Sequence, residues 1–207
     1  AGADLKRTIP LLNGFREPED EFDRLILDDL DLFRKGTLKS DATDRPIIAA
    51  IDGFCLAGAF EAAMGTDIRI ATKRSLFGLP EVSRGIVAWG GGTSKLAGQI
   101  PYAKAMEMNL TARTFSAAEM LELGFLNELV PEAALWEKAG AVARRIAENA
   151  PLAVRAAKRS IKACLGHPPE AALDIELEVT QAIRGSEDAM EGPRAFKEKR
   201  QPQWRAR

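Results

Sequence analysis

The sequence predicts an α/β fold in which the strands come early in the chain and the helices come late. Two buried strands, Pro46–Asp52 and Asp67–Ala71, flank a glycine turn and a short alanine-rich helix, and a second glycine-rich loop follows them. Beyond that loop, alanine-rich helical segments succeed one another to the end of the chain. With 207 residues, of which 46% are hydrophobic, the chain can bury a full core.

Three segments precede the first strand. Ala1–Lys6 is a small-residue turn that can open a helix. Thr8–Glu19 contains two prolines and a glycine, which predicts irregular structure. Glu19–Lys35 has apolar side chains at helical spacing, acidic residues near its start and basic residues at its end, and therefore predicts one amphipathic helix.

Helices dominate the second half of the sequence. Ser116 is predicted to cap one of them, because Glu119 three residues later completes a capping box. The predicted helices are Thr93–Ile100, Ala103–Leu110, Ser116–Leu123, Glu132–Asn149, Pro151–Leu165, Pro169–Ile183 and Ser186–Lys199.

Composition argues against several classes of function. A net charge of −1 and a pI of about 6.0 provide no basic field for nucleic acid or acidic membranes, so neither partner is expected. No apolar run reaches the roughly 18 residues that a membrane span needs. Cys55 and Cys164 lie far apart, which favours a reducing compartment, and a cytoplasmic protein is expected. His167 is the single histidine, so histidine triads and histidine-rich metal sites are excluded and no metal is expected.

Two glutamates stand in unusual places within the central stretch. Glu61 lies in a run that is otherwise small and apolar, and Glu81 follows the tight turn formed by Gly78, Leu79 and Pro80. An acid in an apolar environment loses hydration, and its pKa rises toward the range that suits proton transfer near neutral pH. The two residues are therefore candidates for a catalytic pair. The alternative is that they are a helix surface residue and a loop-end acid.

Several motifs in the same order resemble the enoyl-CoA hydratase/isomerase (crotonase) family. They are AGADLK at positions 1–6, LAGAFE at 56–61, FGLPEV at 77–82 and the run from Gly85 to Thr93 that ends in GGGT. Segments further on fit as well, including LTAR at 110–113, GFLN at 124–127, APLA at 150–153 and SEDA at 186–189. The resemblance covers nearly the whole chain.

The resemblance implies a spiral of ββα turns followed by a helical region used for trimer formation. Residues 1–130 are expected to form the spiral core and residues 131–207 the helical region. The first strands of the family's spiral have no counterpart in this sequence and are expected to be missing from it. A homotrimer or a dimer of trimers is the expected assembly.

The resemblance also implies the chemistry. The substrate is expected to be a 2-enoyl-CoA thioester that gains water, or the corresponding product that loses it, and no cofactor is expected because coenzyme A belongs to the substrate. Glu61 and Glu81 match the family's two catalytic glutamates. We expect Glu81 to deliver the proton to the α-carbon and Glu61 to orient and activate water. The N–H groups of Ala3 and Gly58 are expected to form the oxyanion hole.

Coenzyme A contacts carry over from the family to both ends of the chain. Asp4, Leu5 and Lys6 match the adenine-contacting segment, and Phe196 and Lys199 match residues that reach the coenzyme, often from a neighbouring subunit. For the two lysines, a solvated surface charge is an equally good interpretation.

Trp89 is a departure from the family pattern, because Ala88-Trp89 replaces a common Pro-Gly pair. Its ring is expected either to narrow the acyl pocket, which would favour a short or unusual acyl group, or to turn outward at a subunit contact. Two alternative functions also stay open. One is an enoyl-CoA double-bond isomerase, and the other is a non-catalytic protein that binds coenzyme A or RNA.

Overall fold

The computed structural model describes residues 2, 4–29, 31–39 and 43–207 of the chain. By internal contacts they divide into two compact units. The first holds the described residues up to position 39 together with Ile47–Ala139, and the second holds Thr43–Pro46 and Gly140–Arg207. Each unit is described on its own below.

Three short helices open the first unit, and they correct two predictions. Helix α1, Thr8–Leu12, lies in the segment predicted to be irregular, and the carbonyl of Asp4 accepts hydrogen bonds from the first two N–H groups of this helix. The single predicted helix is two helices, α2 at Glu21–Asp28 and α3 at Asp31–Gly36. The break lies at Asp29, whose φ of −133° and ψ of 87° take the chain out of the helical region.

Six short strands form two three-stranded sheets. The strands are β1 at Ile48–Ile51, β2 at Phe54–Leu56, β3 at Ile68–Thr72, β4 at Leu76–Gly78, β5 at Phe115–Ser116 and β6 at Glu128–Val130. One sheet has the order β1-β3-β6 and is parallel, and the other has the order β2-β4-β5 with β5 antiparallel. The α/β class is confirmed, and both central strands lie within their predicted ranges to one residue.

Helix α4, Gly58–Met64, connects the two pairs of strands. The chain runs through β1 and β2, crosses by α4, and then runs through β3 parallel to β1 and β4 parallel to β2. Each pass thus adds one strand to each sheet, which is the construction of a ββα spiral. The turn places the end of β2 and the start of α4 at one edge of the unit.

The core that packs against α4 includes three aromatic rings and a partly buried guanidinium. Phe60, Phe77 and Phe125 are fully buried and pack edge to face, with ring centroids 5.0 to 6.1 Å apart. Arg69 lies 4.1 Å from the Phe125 ring centroid and donates hydrogen bonds to carbonyls at the end of α4, including that of Ala63 at 2.8 Å. Burial lowers the pKa of Arg69 to about 10. These contacts fix the position of α4.

Two further helices complete the first unit. Helix α5 spans Tyr102–Thr111, and α6 spans Ala117–Glu122. The predicted capping box of α6 is confirmed, because Ser116 Oγ accepts from the Glu119 N–H and the Glu119 carboxylate accepts from the Ser116 N–H. The helix predicted at Thr93–Ile100 is wrong: only Leu96–Gly98 is helical, as one 3₁₀ turn.

The second unit is made of helices. Helix α7, Leu135–Ala147, leads into it, and α8 at Pro151–Cys164, α9 at Pro169–Gln181 and α10 at Glu187–Lys197 follow. In α10 the Asp188 carboxylate accepts hydrogen bonds from the N–H groups of Arg205 and Ala206, which ties the end of the chain back to this helix. No helix among the described residues is long and apolar enough to cross a membrane.

An ion-pair cluster holds α1 and α2 together. The Asp23 carboxylate on α2 is 1% exposed, forms an ion pair with Arg16 at 2.6 Å, and accepts hydrogen bonds from Arg7 at 3.1 Å and from the Glu19 N–H at 3.0 Å. Burial alone would raise the pKa of Asp23. The contacts with Glu19, Arg16 and Arg7 have the larger effect and lower this pKa to about 2. The ionised carboxylate is therefore the form that stabilises this part of the fold.

We predict that Asp23→Asn destabilises the protein and removes part of its acid sensitivity. A carboxyl whose pKa is about 2 in the folded state and about 3.9 when unfolded contributes stability above the second value, and the contribution disappears as pH falls toward the first. Melting temperatures measured between pH 6 and pH 2 should therefore fall less steeply for the variant than for the parent protein. Asp28→Asn, at an exposed position on the same helix, is the control and should leave the slope unchanged. Equal slopes for parent protein and Asp23→Asn would contradict the assignment.

Candidate active site

A cavity of about 790 Å³ lies in the first unit. Its walls come from helices α1 to α3, from the turn between β2 and α4, and from the loop that carries residues 80–90. Both predicted catalytic residues, Glu61 and Glu81, line it. The spiral thus brings together two carboxyls that are twenty positions apart in the sequence.

Glu61 is held against the backbone of the glycine-rich loop. It lies on α4, is 6% exposed, and its Oε1 accepts a hydrogen bond from the Gly92 N–H at 3.0 Å. Gly90 packs so closely that a Cβ there would collide with Oε2 of Glu61. Burial raises the pKa of Glu61, while the N–H groups of Gly92 and Gly90 and the charge of Lys39 act in the opposite direction. The carboxyl is therefore buried but supplied with donors that favour its ionised form.

Glu81 is in a different environment. It is the first residue of the 3₁₀ turn Glu81–Arg84 and is 8% exposed. Its Oε2 is buried and has no hydrogen-bond partner among the residues that the structure describes. Burial raises the pKa of Glu81, its own backbone N–H lowers it, and the nearby charge of Glu61 raises it further. The charge of Arg84 lowers the pKa of Glu81. The two carboxyls differ in that Glu61 accepts hydrogen bonds from loop N–H groups, whereas Glu81 keeps a buried oxygen without a donor among the described residues.

The two predicted oxyanion segments meet beside the cavity. Gly58 lines it, and a Cβ placed on Gly2 would lie 2.9 Å from the Gly58 nitrogen. Ala57, just before Gly58, has φ 52° and ψ −131°, which is a strained backbone for a residue with a side chain. Ala3 is outside the described residues, so its role and that of Gly58 stay predictions.

Trp89 lines the cavity and is 42% exposed. Its backbone carbonyl accepts a hydrogen bond from Lys39 Nζ, which brings an ammonium group to the wall of the same cavity. Lys39 is not predicted from the sequence, because it lies in a polar connector with no recognisable pattern around it. The donor roles of Gly90 and Gly92 are not predicted either, although the GGGT motif contains both residues.

The predicted coenzyme A contacts lie in separate parts of the chain. Leu5 is 50% exposed and lines the cavity, while Asp4 and Lys6 are exposed in the turn before α1. Asp4 Oδ1 accepts from the Lys6 N–H at 2.8 Å, so the turn is internally ordered. Phe196, 87% exposed on α10, and Lys199 belong to the second unit. A role in coenzyme binding stays a prediction for all five.

We predict that Gly90→Ala destabilises the protein because the new methyl group must displace the Glu61 carboxyl. Overpacking of this kind typically lowers the free energy of unfolding by about 1–3 kcal/mol. Denaturant unfolding of the parent protein and the variant measures the difference. Gly98→Ala is the matched control, since nothing lies within 4 Å of a Cβ at that position. Equal losses at the two positions would show that the loop does not confine Glu61.

Comparisons with known proteins agree with this architecture. The sequence model of the enoyl-CoA hydratase/isomerase family matches residues 31–207. The chain is 39% identical over 170 residues to the enoyl-CoA hydratase EchA19 of Mycobacterium tuberculosis, covering 82% of this chain and 64% of that protein. It is 38% identical over 168 residues to a carnitinyl-CoA dehydratase of Salmonella heidelberg, covering 79% of this chain and 64% of that protein. The chain thus spans 64% of the length of both curated relatives.

Solved structures show the same similarity in three dimensions. An enoyl-CoA hydratase of Bacillus anthracis superposes with a TM-score of 0.87 at 33% identity, covering 100% of this chain and 76% of that one. An enoyl-CoA hydratase/isomerase of Mycobacterium abscessus gives a TM-score of 0.83 at 42% identity, covering 86% of this chain and 74% of that one. The resemblance inferred from the motifs is confirmed, and the chain belongs to the enoyl-CoA hydratase/isomerase family, with the α/β fold of crotonases.

Proposed function

We propose that the protein is an acyl-CoA hydratase or dehydratase that adds water to a 2-enoyl-CoA thioester or removes it from the product. The observation that carries the proposal is the pair of buried carboxyls, Glu61 and Glu81, in one cavity and in unequal environments. Hydration needs one group that takes a proton from water and another that gives a proton to carbon. Glu61 accepts hydrogen bonds from loop N–H groups, which suits the ionised base. Glu81 has a buried oxygen without a donor among the described residues, which suits the protonated acid.

In the proposed reaction, Glu61 orients a water molecule and removes a proton as the water oxygen bonds to the β-carbon. The electron pair of the double bond moves toward the thioester, whose oxygen gains negative charge. Glu81 then gives its proton to the α-carbon, and the enolate electrons form the new C–H bond. The N–H groups of Ala3 and Gly58 would hold the oxygen, and removing one such donor typically costs about 3 kcal/mol.

The substrate class rests on the relatives and on the predicted coenzyme contacts. One relative is named a hydratase and another a dehydratase, and this chain is similar to both at nearly the same sequence identity. Both directions of the reaction therefore belong to the proposal. Asp4, Leu5 and Lys6 would contact the adenine end of coenzyme A, and Phe196 and Lys199 match family residues that reach the coenzyme, often from a neighbouring subunit. Coenzyme A is then part of the substrate, and the proposed steps use side chains and backbone alone.

Self-association into a trimer, or a dimer of such trimers, is part of the same proposal. The second unit exposes large apolar side chains, among them Ile161 at 66%, Leu173 at 65% and Met190 at 74%. A contiguous exposed apolar patch commonly marks an interaction surface, and the proposal takes these side chains to belong to one. Light scattering of the full chain would measure the assembly, and a monomer at micromolar concentration would contradict it.

We predict that Glu81→Gln lowers kcat for hydration by about 10²- to 10⁴-fold, because the amide keeps the shape of the carboxyl but cannot supply the proton. The measurement is loss of the conjugated enoyl-thioester absorbance, together with identification of a 3-hydroxyacyl product. The exposed Glu122→Gln is the matched control and should retain full activity. A product in which only the double bond has moved would instead identify an isomerase. Full turnover by Glu81→Gln would overturn the assignment of this residue.

We also predict a bell-shaped dependence of kcat/KM on pH. Glu61 must be ionised to act as a base, and burial raises its pKa, so activity should be lost below a pH that lies above about 4.3, the usual value for glutamate. Glu81 must be protonated, so activity should fall again as pH rises through its raised pKa. Since the Lys39 ammonium favours the ionised form of Glu61, Lys39→Met should move the acidic limb to higher pH, and Lys39→Arg should not. If the acidic limb is the same in all three proteins, Lys39 does not influence the ionisation of Glu61.

A further inference from the structure

The cavity extends well beyond the two glutamates. Glu61, Glu81 and the Gly58 turn form one part of its wall, and most of the other lining residues are apolar, with Thr37, Lys39 and Arg84 as exceptions. Large apolar side chains from α2 and from the loop after Glu81 face this space, and several keep much of their surface exposed. Phe22 is 60% exposed, Leu25 49% and Val87 58%.

The size of the space is far more than a short acyl group needs. A methylene group takes up about as much room as a water molecule, roughly 30 Å³. A four-carbon acyl group would then fill only about a sixth of the 790 Å³, even though Trp89 lines the wall. With such a substrate, Phe22, Leu25 and Val87 would remain exposed to solvent. Removal of apolar area from water is the main favourable contribution to the binding of an apolar group.

Apart from the two glutamates, the charged groups on the wall already donate hydrogen bonds to other atoms of the protein. Apart from the two glutamates, the described lining residues with a charge are Lys39 and Arg84. Lys39 Nζ donates to the Trp89 carbonyl. Nη1 of Arg84 donates to Ser83 Oγ at 2.7 Å and to the Pro80 carbonyl at 3.2 Å. Both cations thus have partners of their own.

We propose that the acyl group of the substrate is large and wholly apolar, with about ten carbons or more, and that Phe22 and Leu25 on α2 form the wall that selects it. This inference rests on the proposed function, since it takes the thioester to lie at the two glutamates. It extends that function by naming the class of acyl chain. A pocket narrowed by Trp89 for short chains, one of the two possibilities that the sequence leaves open, is the opposite expectation, and the substrate series below decides between the two.

The test is a series of 2-enoyl-CoA thioesters of 4, 6, 8, 10 and 12 carbons assayed with the full chain. Each methylene that reaches an apolar wall should raise kcat/KM by about two- to fourfold, so the 10-carbon substrate should exceed the 4-carbon one by about 60-fold or more. A flat series, or one that falls with length, would overturn the inference while leaving the hydratase function intact.

Binding separates this inference from the proposed function. Saturated acyl-CoAs of 4 and 10 carbons cannot be hydrated, so their affinities for the protein, measured by calorimetry, report on the wall alone. Tighter binding of the longer chain supports the inference even if no enoyl-CoA turns over, in which case only the proposed reaction fails. Equal affinities would overturn the inference whatever the activity.

Substitutions in the wall give an independent test. Leu25→Trp reduces the space and should lower the ratio of kcat/KM for 10 and 4 carbons by about tenfold or more. Phe22→Ala removes apolar contact and should also lower this ratio, and it remains available if the larger side chain impairs folding. Leu110→Trp is the matched control, since Leu110 on α5 is 66% exposed and does not line the cavity. Its ratio should equal that of the parent protein, and unchanged ratios in the two wall variants would overturn the role of α2.

Discussion

The rest of the site depends on the close packing of the Glu61 carboxyl against the backbone of two glycines. Gly90 leaves room for the carboxyl, and the Gly92 N–H fixes one of its oxygens. The aromatic core and the Arg69 hydrogen bonds hold α4 from the other side, so Glu61 has little freedom to move away. Its charge in turn raises the pKa of Glu81. A single close contact between helix and loop thereby sets the electrostatics of both carboxyls.

The first unit joins two kinds of construction. Behind α4, the spiral is held by buried aromatic rings and by parallel strand pairing, both of which tolerate little displacement. On the other side of the cavity, Asp23 and the arginines around it tie α2 to the ends of α1, and Leu11 and Ile26 on these helices are buried. The carboxyls therefore stand on the rigid part, and the opposite wall of the cavity belongs to the part that ion pairs secure. Under the proposed function, different parts of the fold would place the reacting groups and enclose the substrate.

Local sequence predicted the elements whose causes are local. The capping box at Ser116 and the apolar strands before and after α4 follow from neighbouring residues, and the motifs led to the family and to the two glutamates. The break at Asp29 and the first helix, by contrast, interrupt or oppose the local pattern and depend on tertiary contacts. Strand β5 is only two residues long and exists through its pairing with β4. Lys39 could not be found from the sequence, since only the fold brings it to Trp89, and the catalytic roles themselves stay predictions.

The division between the two parts of the cavity has a consequence for how such a protein can change over evolutionary time. Phe22 and Leu25 keep about half of their surface or more exposed, so few neighbouring side chains depend on their shape. Replacing them alters the space in front of the carboxyls without opening a void in the core, where the loss of a large side chain costs several kcal/mol. Under the proposed function, single substitutions at these positions would admit other acyl chains without opposition from folding. The two carboxyls would stay in place while the range of substrates changed.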